Sequence, residues 1–475
     1  MLQASASALA RRIRDRSLTS RALVDAHIAH LERCNPTLNA LVRDRFAEAR
    51  VEADLADEAI RRGDAVGAFH GVPCSIKEAF ALTGMPNTSG LVARKGLVAD
   101  RDATAVKRLR AAGAIPLGVT NVSELCMWME SDNEVYGRTD NPYDPSRIVG
   151  GSSGGEGAIV GAGGAPFGLG SDIGGSIRMP AFFNGVFGHK PSAGLVPGSG
   201  QFPMASGAAT RYLTTGPLTR KAEDLYPLLR VLAGPDGEDP GCKPMALGDP
   251  ATVSLEGLDV ITVEHNGLVR VQSALIAAQR AACAHLRRRG ARVHQVHLPE
   301  LRSSLAVWSA LLAEAGGPSF AELLGQGTAI PVFRELVAWL LGRSDHTLPA
   351  IGLAIVEKVP ALLGDTTAAA IESAARLRKT LDEAIGAHGV MFYPSYPRQA
   401  PRHGTPLLWP IQWAYTAVLN VMELPATQVP LGLSGGLPLG VQVVARHGED
   451  HRCLAVASEL ERAFGGWVPP PRWFP

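Results

Sequence analysis

The stretch from Gly150 to Gly200 restricts most strongly what this chain can fold into. It opens Gly150-Gly151-Ser152-Ser153-Gly154-Gly155 and runs on to Gly170-Ser171-Asp172-Ile173-Gly174-Gly175-Ser176-Ile177-Arg178. Glycine also stands at 157, 161, 163, 164 and 168, far above an average usage of roughly 7%. Each glycine weakens a helix or strand by about 0.5–1 kcal/mol relative to alanine, so the stretch must use them for tight turns and bare backbone N–H groups. A flexible Gly/Ser linker is the plain alternative. Against it stand Ile159, Val160, Phe167, Ile173, Ile177, Phe182, Phe183, Val186 and Phe187, which call for burial. Serines set among bare N–H donors point to acyl-transfer chemistry.

The rest of the chain reads as strand alternating with helix, the pattern of an α/β sheet. Residues 5 to 62 look all-helical, with Thr19-Ser20 as a cap between two helices and Asn35-Pro36 as a break. A long helix follows over 44–62, with a solvated charged face. At His70 to Phe80 a short apolar strand carries Lys77, an unusual place for a residue that is rarely buried without a partner. A helix over 103–112, a strand over 114–119 and a helix cap at Thr120 to Glu124 come next. A helix over 222–233 precedes Gly234-Pro235-Asp236-Gly237-Glu238-Asp239-Pro240-Gly241, which reads as a surface linker between two halves. The second half predicts strands at 259–263, 292–298, 390–394 and 428–433, a hairpin turning at Ser434-Gly435-Gly436, and helices over 271–289, 366–387 and 450–464. Residues 304–363 form an apolar, mostly helical segment that either packs a core or walls a greasy channel.

Composition excludes several functions. Lys and Arg number 46 against 45 Asp and Glu, a net charge of +1, so nothing favours nucleic acid or an anionic membrane as partner. Six cysteines (Cys34, Cys74, Cys126, Cys242, Cys283, Cys453) lie far apart with no C-x-x-C. This argues for reduced thiols in a cytoplasmic protein, with no metal site. No run of about 18 apolar residues suggests a spanning helix.

Two serines compete for the role of nucleophile. Gly151-Ser152-Ser153-Gly154-Gly155 satisfies the G-x-S-x-G elbow of α/β-hydrolases, with Ser153 attacking. That motif needs a strand leading into it, and 142–149 holds two prolines and turn formers instead. His189 would then be a packing or capping histidine rather than a general base.

The blocks Gly150 to Gly155, Asp172 to Arg178 with Pro180, and Gly185-Val186-Phe187-Gly188 before Lys190-Pro191 resemble the amidase signature family of serine hydrolases. Gly71-Val72-Pro73 ahead of Lys77 adds to the likeness. The tail from Gly436 to Gln442 and Phe464-Gly465-Gly466-Trp467 extends it over nearly the whole chain. Glu156 and Lys77-Glu78-Ala79-Phe80 are most similar to the type-two fatty acid amide hydrolase branch. The resemblance implies a single α/β/α amidase domain over 1–475: a helical part at 1–62, a catalytic core at 70–220, the linker near 234–241 and the helical segment 304–363. A large mixed central sheet would be covered by helices.

The same resemblance implies that Lys77 is the base, Ser152 a bridging serine and Ser176 the nucleophile. Backbone N–H groups of Ile173, Gly174, Gly175 and Ser176 would form an oxyanion hole. Ser153, Asp172 and Arg178 would hold the turn, Asp172 and Arg178 as a structural pair or in a catalytic part. Cys126 and Met127 would line the acyl pocket unless they are simply core. The expected substrate is a small-molecule amide with an apolar acyl group, cleaved without cofactor, and a homodimer is compatible with the sequence. The rival within the fold is the glutaminase subunit of a tRNA-dependent amidotransferase.

Overall fold

Alternation along one strand decides the layering. Phe167 and Leu169 point into one apolar layer, while Gly168 and Gly170 between them present bare backbone to the other face. A computed structural model describes residues 1–357 and 366–474. In it the strands are β1 (Leu41–Asp44), β2 (Pro73–Lys77), β3 (Ile115–Thr120), β4 (Phe167–Asp172), β5 (Phe187–Lys190), β6 (Thr214–Thr219), β7 (Asp259–Thr262), β8 (Arg292–Gln295), β9 (Val390–Tyr393), β10 (Ala426–Ser434) and β11 (Leu437–Val444). They form one 11-stranded sheet in the order β1-β3-β2-β4-β6-β5-β10-β11-β9-β7-β8. Pairing is parallel for β3-β2-β4 and for β9-β7-β8, and antiparallel elsewhere.

Helices cover both faces. The first twelve are α1 (Ala6–Arg14), α2 (Ser20–Leu38), α3 (Phe46–Arg62), α4 (Thr104–Ala111), α5 (Gly154–Gly161), α6 (Arg178–Phe183), α7 (Leu225–Leu232), α8 (Ser273–Arg288), α9 (Ser304–Glu314), α10 (Phe320–Leu324), α11 (Val332–Leu340) and α12 (Leu348–Val356). Later helices include Thr366–Ile385, Ala414–Val421 and Asp450–Phe464. One layer packs α1, α4, α7, α8 and Asp450–Phe464 against Cys74, Ile76, Phe167, Leu169, Val441 and Val443. On the other face α2, α3 and α5 pack against Ile115 and Leu117, with α6, α9 and Ala414–Val421 further along. Lys77 follows Ile76 by one residue, so its side chain leaves on the α5 side.

Several local expectations need correcting. The 1–62 part is not all helix, because Leu41–Asp44 pairs antiparallel with β3 as an edge strand. The chain does not break at Asn35-Pro36: α2 runs on to Leu38, and Asn39 ends it in the left-handed region. Pro36 falls in the last turn, and the Asn35 side chain accepts from the N–H groups of Ala40 and Leu41 instead. Thr120 to Glu124 starts no α-helix; only a short 3-10 turn, Glu124–Cys126, follows. Segment 234–241 is loop, but the Arg108 guanidinium binds the carbonyls of Leu232, Gly234 and Pro235. The two halves it joins contribute to one sheet.

The 304–363 segment, of which 358–363 lie outside the described residues, divides in two. Trp308 on α9 is buried, whereas Phe333 and Leu340 on α11 are 78% and 70% exposed. Among the described residues no helix is long and apolar enough to cross a membrane.

Candidate active site

Three neighbouring elements bring the chemistry together: the end of β2, the N-terminus of α5 and the turn after β4. Lys77 closes β2 and is fully buried. Its Nζ donates to Ser152 Oγ at 2.7 Å and to Ser171 Oγ at 3.0 Å. Ser152 stands two residues before α5, in a segment where Ser131 Oγ binds the carbonyls of Gly150 and Ser152 and caps the N–H of Gly154. Ser153 N–H donates to the Ser176 carbonyl at 3.2 Å, which ties this segment to the turn after β4. Exposure rises along the series, from 0% at Lys77 to 1% at Ser152 and 7% at Ser176. Ser176 is thus the least buried of the three; its carbonyl is tied to the residue after Ser152, and among the described residues no hydrogen bond joins Ser176 to Ser152 itself.

The turn from Asp172 to Ser176 is clamped from behind. The carbonyls of Asp172, Ile173 and Gly174 accept from Asn420 Nδ2 (2.8 Å), Trp308 Nε1 (2.9 Å) and Thr416 Oγ1 (2.7 Å). With these carbonyls turned one way, the peptide N–H groups are turned the other. The N–H groups of Ile173, Gly174 and Ser176 find no acceptor among the described residues. That of Gly175 donates to Asp172 Oδ1 at 2.7 Å, so of the four expected oxyanion donors three are open and Gly175 is engaged. Gly175 sits at φ +126°, and a Cβ there would overlap the Thr416 hydroxyl.

Asp172 and Arg178 form a buried ion pair, both fully inaccessible, with contacts of 2.9 and 3.0 Å. Arg178 also donates to Thr416 O, Gln442 Oε1 and Asn420 Oδ1. Burial alone would raise the Asp172 carboxyl, but the Arg178 guanidinium overrides it and holds the group well below the usual carboxylate range. This pair shapes the turn; neither member lies open to a substrate. Ser153 is likewise buried, its Oγ between the N–H and carbonyl of Ser171, and residues before it form no strand. His189 is held by Thr427 and Asp450.

Burial pushes Lys77 below the ordinary lysine value, against the pull of Cys126, Asp172 and Glu156. The desolvated ammonium is disfavoured, so a neutral amine becomes accessible nearer neutral pH. Cys126 reaches the lysine and Met127 lies half-buried at the join of two apolar clusters. Met127, Trp128, Ile173, Leu311, Leu312 and Trp413 form a partly open apolar rim on one core cluster, which Ile173 and Trp413 bring up to the turn. Trp308 meets Trp413 edge-on at 4.6 Å beside Gly174. Reading the sequence missed Ser171, although it precedes Asp172 directly, and also Trp308, Thr416, Asn420 and Gln442, which lie more than 130 residues away and belong to no glycine-rich motif.

A buried lysine joined to a serine, a second serine 7% exposed in the next turn and open N–H donors beside it are the kinds of groups that acyl transfer uses. The family model described as amidase matches residues 22–454. The chain is 46% identical to fatty-acid amide hydrolase 2-A of Danio rerio, over 99% of this chain and 90% of that one. It is 46% identical to fatty-acid amide hydrolase 2 of Homo sapiens, over 99% and 91%. Among solved structures, 6-aminohexanoate cyclic dimer hydrolase complexed with substrate superposes over 100% of both chains, with a TM-score of 0.84 and 29% identity. The chain belongs to the amidase family. It is a hydrolase that acts on amide bonds.

Proposed function

We propose that Ser176 is the nucleophile, Ser152 its proton relay and Lys77 the base. Neutral Lys77 takes the proton of Ser152, which takes that of Ser176 as Ser176 Oγ attacks the carbonyl carbon. The Ser152–Ser176 hydrogen bond that the relay needs, absent among the described residues, forms when substrate is bound, since catalytic contacts often close only in that complex. Negative charge on the carbonyl oxygen is met by the N–H groups of Ile173, Gly174 and Ser176. Ser152 gives its proton to the leaving nitrogen, without which an amine departs badly, and takes one back from the Lys77 ammonium. Water then attacks the Ser176 acyl-enzyme along the same relay. The observation that carries this reading is the 2.7 Å contact between fully buried Lys77 and Ser152.

The substrate is an amide with an apolar, fatty-acyl-like acyl group, supported by the apolar rim and by the names of the most similar relatives. The chain acts as one amidase domain in the cytoplasm, and Cys126 and Met127 border the acyl group. Fluorophosphonate labelling tests the assignment of roles. Ser176→Ala should abolish both labelling and turnover, and Ser153→Ala should leave labelling intact. Label recovered on Ser153 would sink the reading.

A further inference from the structure

The face of β2 that carries Lys77 also carries Ser75, two residues back. Lys77 pairs with Thr120 of β3, and Ser75 with Gly168 of β4. Into the hollow between Ser75, Thr120 and Gly168 α5 inserts Glu156, fully buried. Ser75 Oγ donates to its Oε2 at 2.6 Å and Thr120 Oγ1 to its Oε1 at 2.7 Å. A Cβ at position 168 would overlap the Glu156 carboxylate, so β4 is bare at 168 because the carboxylate lies there. Hydroxyl donors on both oxygens, in a pocket cleared by glycine, make a built seat for a carboxylate. The seat shares a sheet face with the base.

We propose that Glu156 is a positioning residue for the reaction read above, its carboxylate held beside Lys77 so that helix α5 sets the pH at which the amine becomes a base. The proposal rests on Lys77 acting as that base. Lys77 is faced by Glu156 from α5, Asp172 from β4 and Cys126 from the turn after β3, besides the neutral Ser152 and Ser171. Asp172 is already neutralised by Arg178, and among the described residues Glu156 has no cationic side chain at hydrogen-bond distance. Lys77 is the cation in a position to feel it. The other titratable group near Glu156 is Cys74, on the opposite face of β2, whose thiol burial raises first and Glu156 further. Burial raises Glu156 itself to about 7, against the hydroxyl donors and the Lys77 charge. Its ionisation therefore falls in the working pH range, and each ionised Glu156 makes the Lys77 ammonium harder to deprotonate.

Glu156→Gln keeps the shape: the amide oxygen accepts from one hydroxyl and the other hydroxyl turns to accept from the amide nitrogen. The rising limb of kcat/KM against pH, and of the rate of fluorophosphonate labelling at Ser176, should move measurably to lower pH, the direction expected for losing a nearby opposite charge. Glu156→Asp should return the limb toward the wild type. Thr120→Val, which removes one donor and so weakens the carboxylate form, should move it in the same direction by less, and decides the matter alone if Glu156→Gln does not fold. Limbs that superimpose on the wild type in the folded variants overturn the proposal and leave Glu156 as packing. Failure of the underlying reading looks different: Ser176 would go unlabelled in the wild type, or Lys77→Ala would label normally.

Discussion

Arg178 shows how much of the site rests on a single side chain that does no chemistry. It donates to Asp172, Thr416, Asn420 and Gln442 and is wholly buried. Replacing it with methionine keeps the volume but leaves the Asp172 carboxylate buried without its counter-charge, a loss of about 3–5 kcal/mol by the usual cost of breaking a buried pair. A denaturant melt of Arg178→Met against the wild type measures it, and a loss under about 1 kcal/mol would contradict the clamp. Glycine crowding and a lysine in an apolar strand are local signals that drew notice to this stretch and to Lys77, but the parts expected of Lys77, Ser152, Ser176, Asp172 and Arg178 came from the family resemblance. What the side chains touch was not legible. The partners of Arg178 come from residues 416, 420 and 442, and the seat of Glu156 from residues 75, 120 and 168, which meet only once the sheet is paired.

At the scale of elements, helix α12 is fixed at its start by a residue from another part of the chain. Glu124 accepts from His346 Nδ1 (2.7 Å), from Thr347 N–H (2.8 Å) and from Thr347 Oγ1 (2.9 Å), while Thr347 caps the N–H of Ala350. Burial would lower the His346 pKa, but the Glu124 carboxylate outweighs it and raises the ring above its ordinary value. A raised folded pKa gives stability that is fully present below about 6.5, the unfolded value, and is lost as pH rises through the folded value. Hydrogen exchange of the α12 amides, corrected for intrinsic rate, should therefore quicken as pH rises past that point, and His346→Gln should remove the dependence. The expected helix cap at Thr120 to Glu124 was wrong in kind because Glu124, which a sequence reading assigns to a local first turn, spends its carboxylate on residues 346 and 347. The short strand β1 was missed because four residues between two long helices carry too little period-two signal to be read.

For the whole molecule, the apolar segment read as core or channel proves to be two things. Trp308 closes over the Ser176 turn, while Phe333 and Leu340 face out. If the rim about Ser176 receives an acyl chain, each methylene it buries is worth about 0.8 kcal/mol, or about fourfold in kcat/KM. A series of acyl amides of graded length should show that climb before it levels off; a maximum at short polar acyl groups would exclude the apolar site. The layered sheet was legible from strand alternating with helix, but its order was not, since β10, near the end of the chain, pairs with β5 from its first half. The same crossing bears on synthesis. The carbonyls and guanidinium that shape the Ser176 turn are held by Thr416, Asn420 and Gln442, so a ribosome that has delivered both serines and the lysine has not yet delivered the side chains that hold them in place. The turn takes its shape only when the last strands join the sheet, and the order of synthesis leaves it unsupported until then.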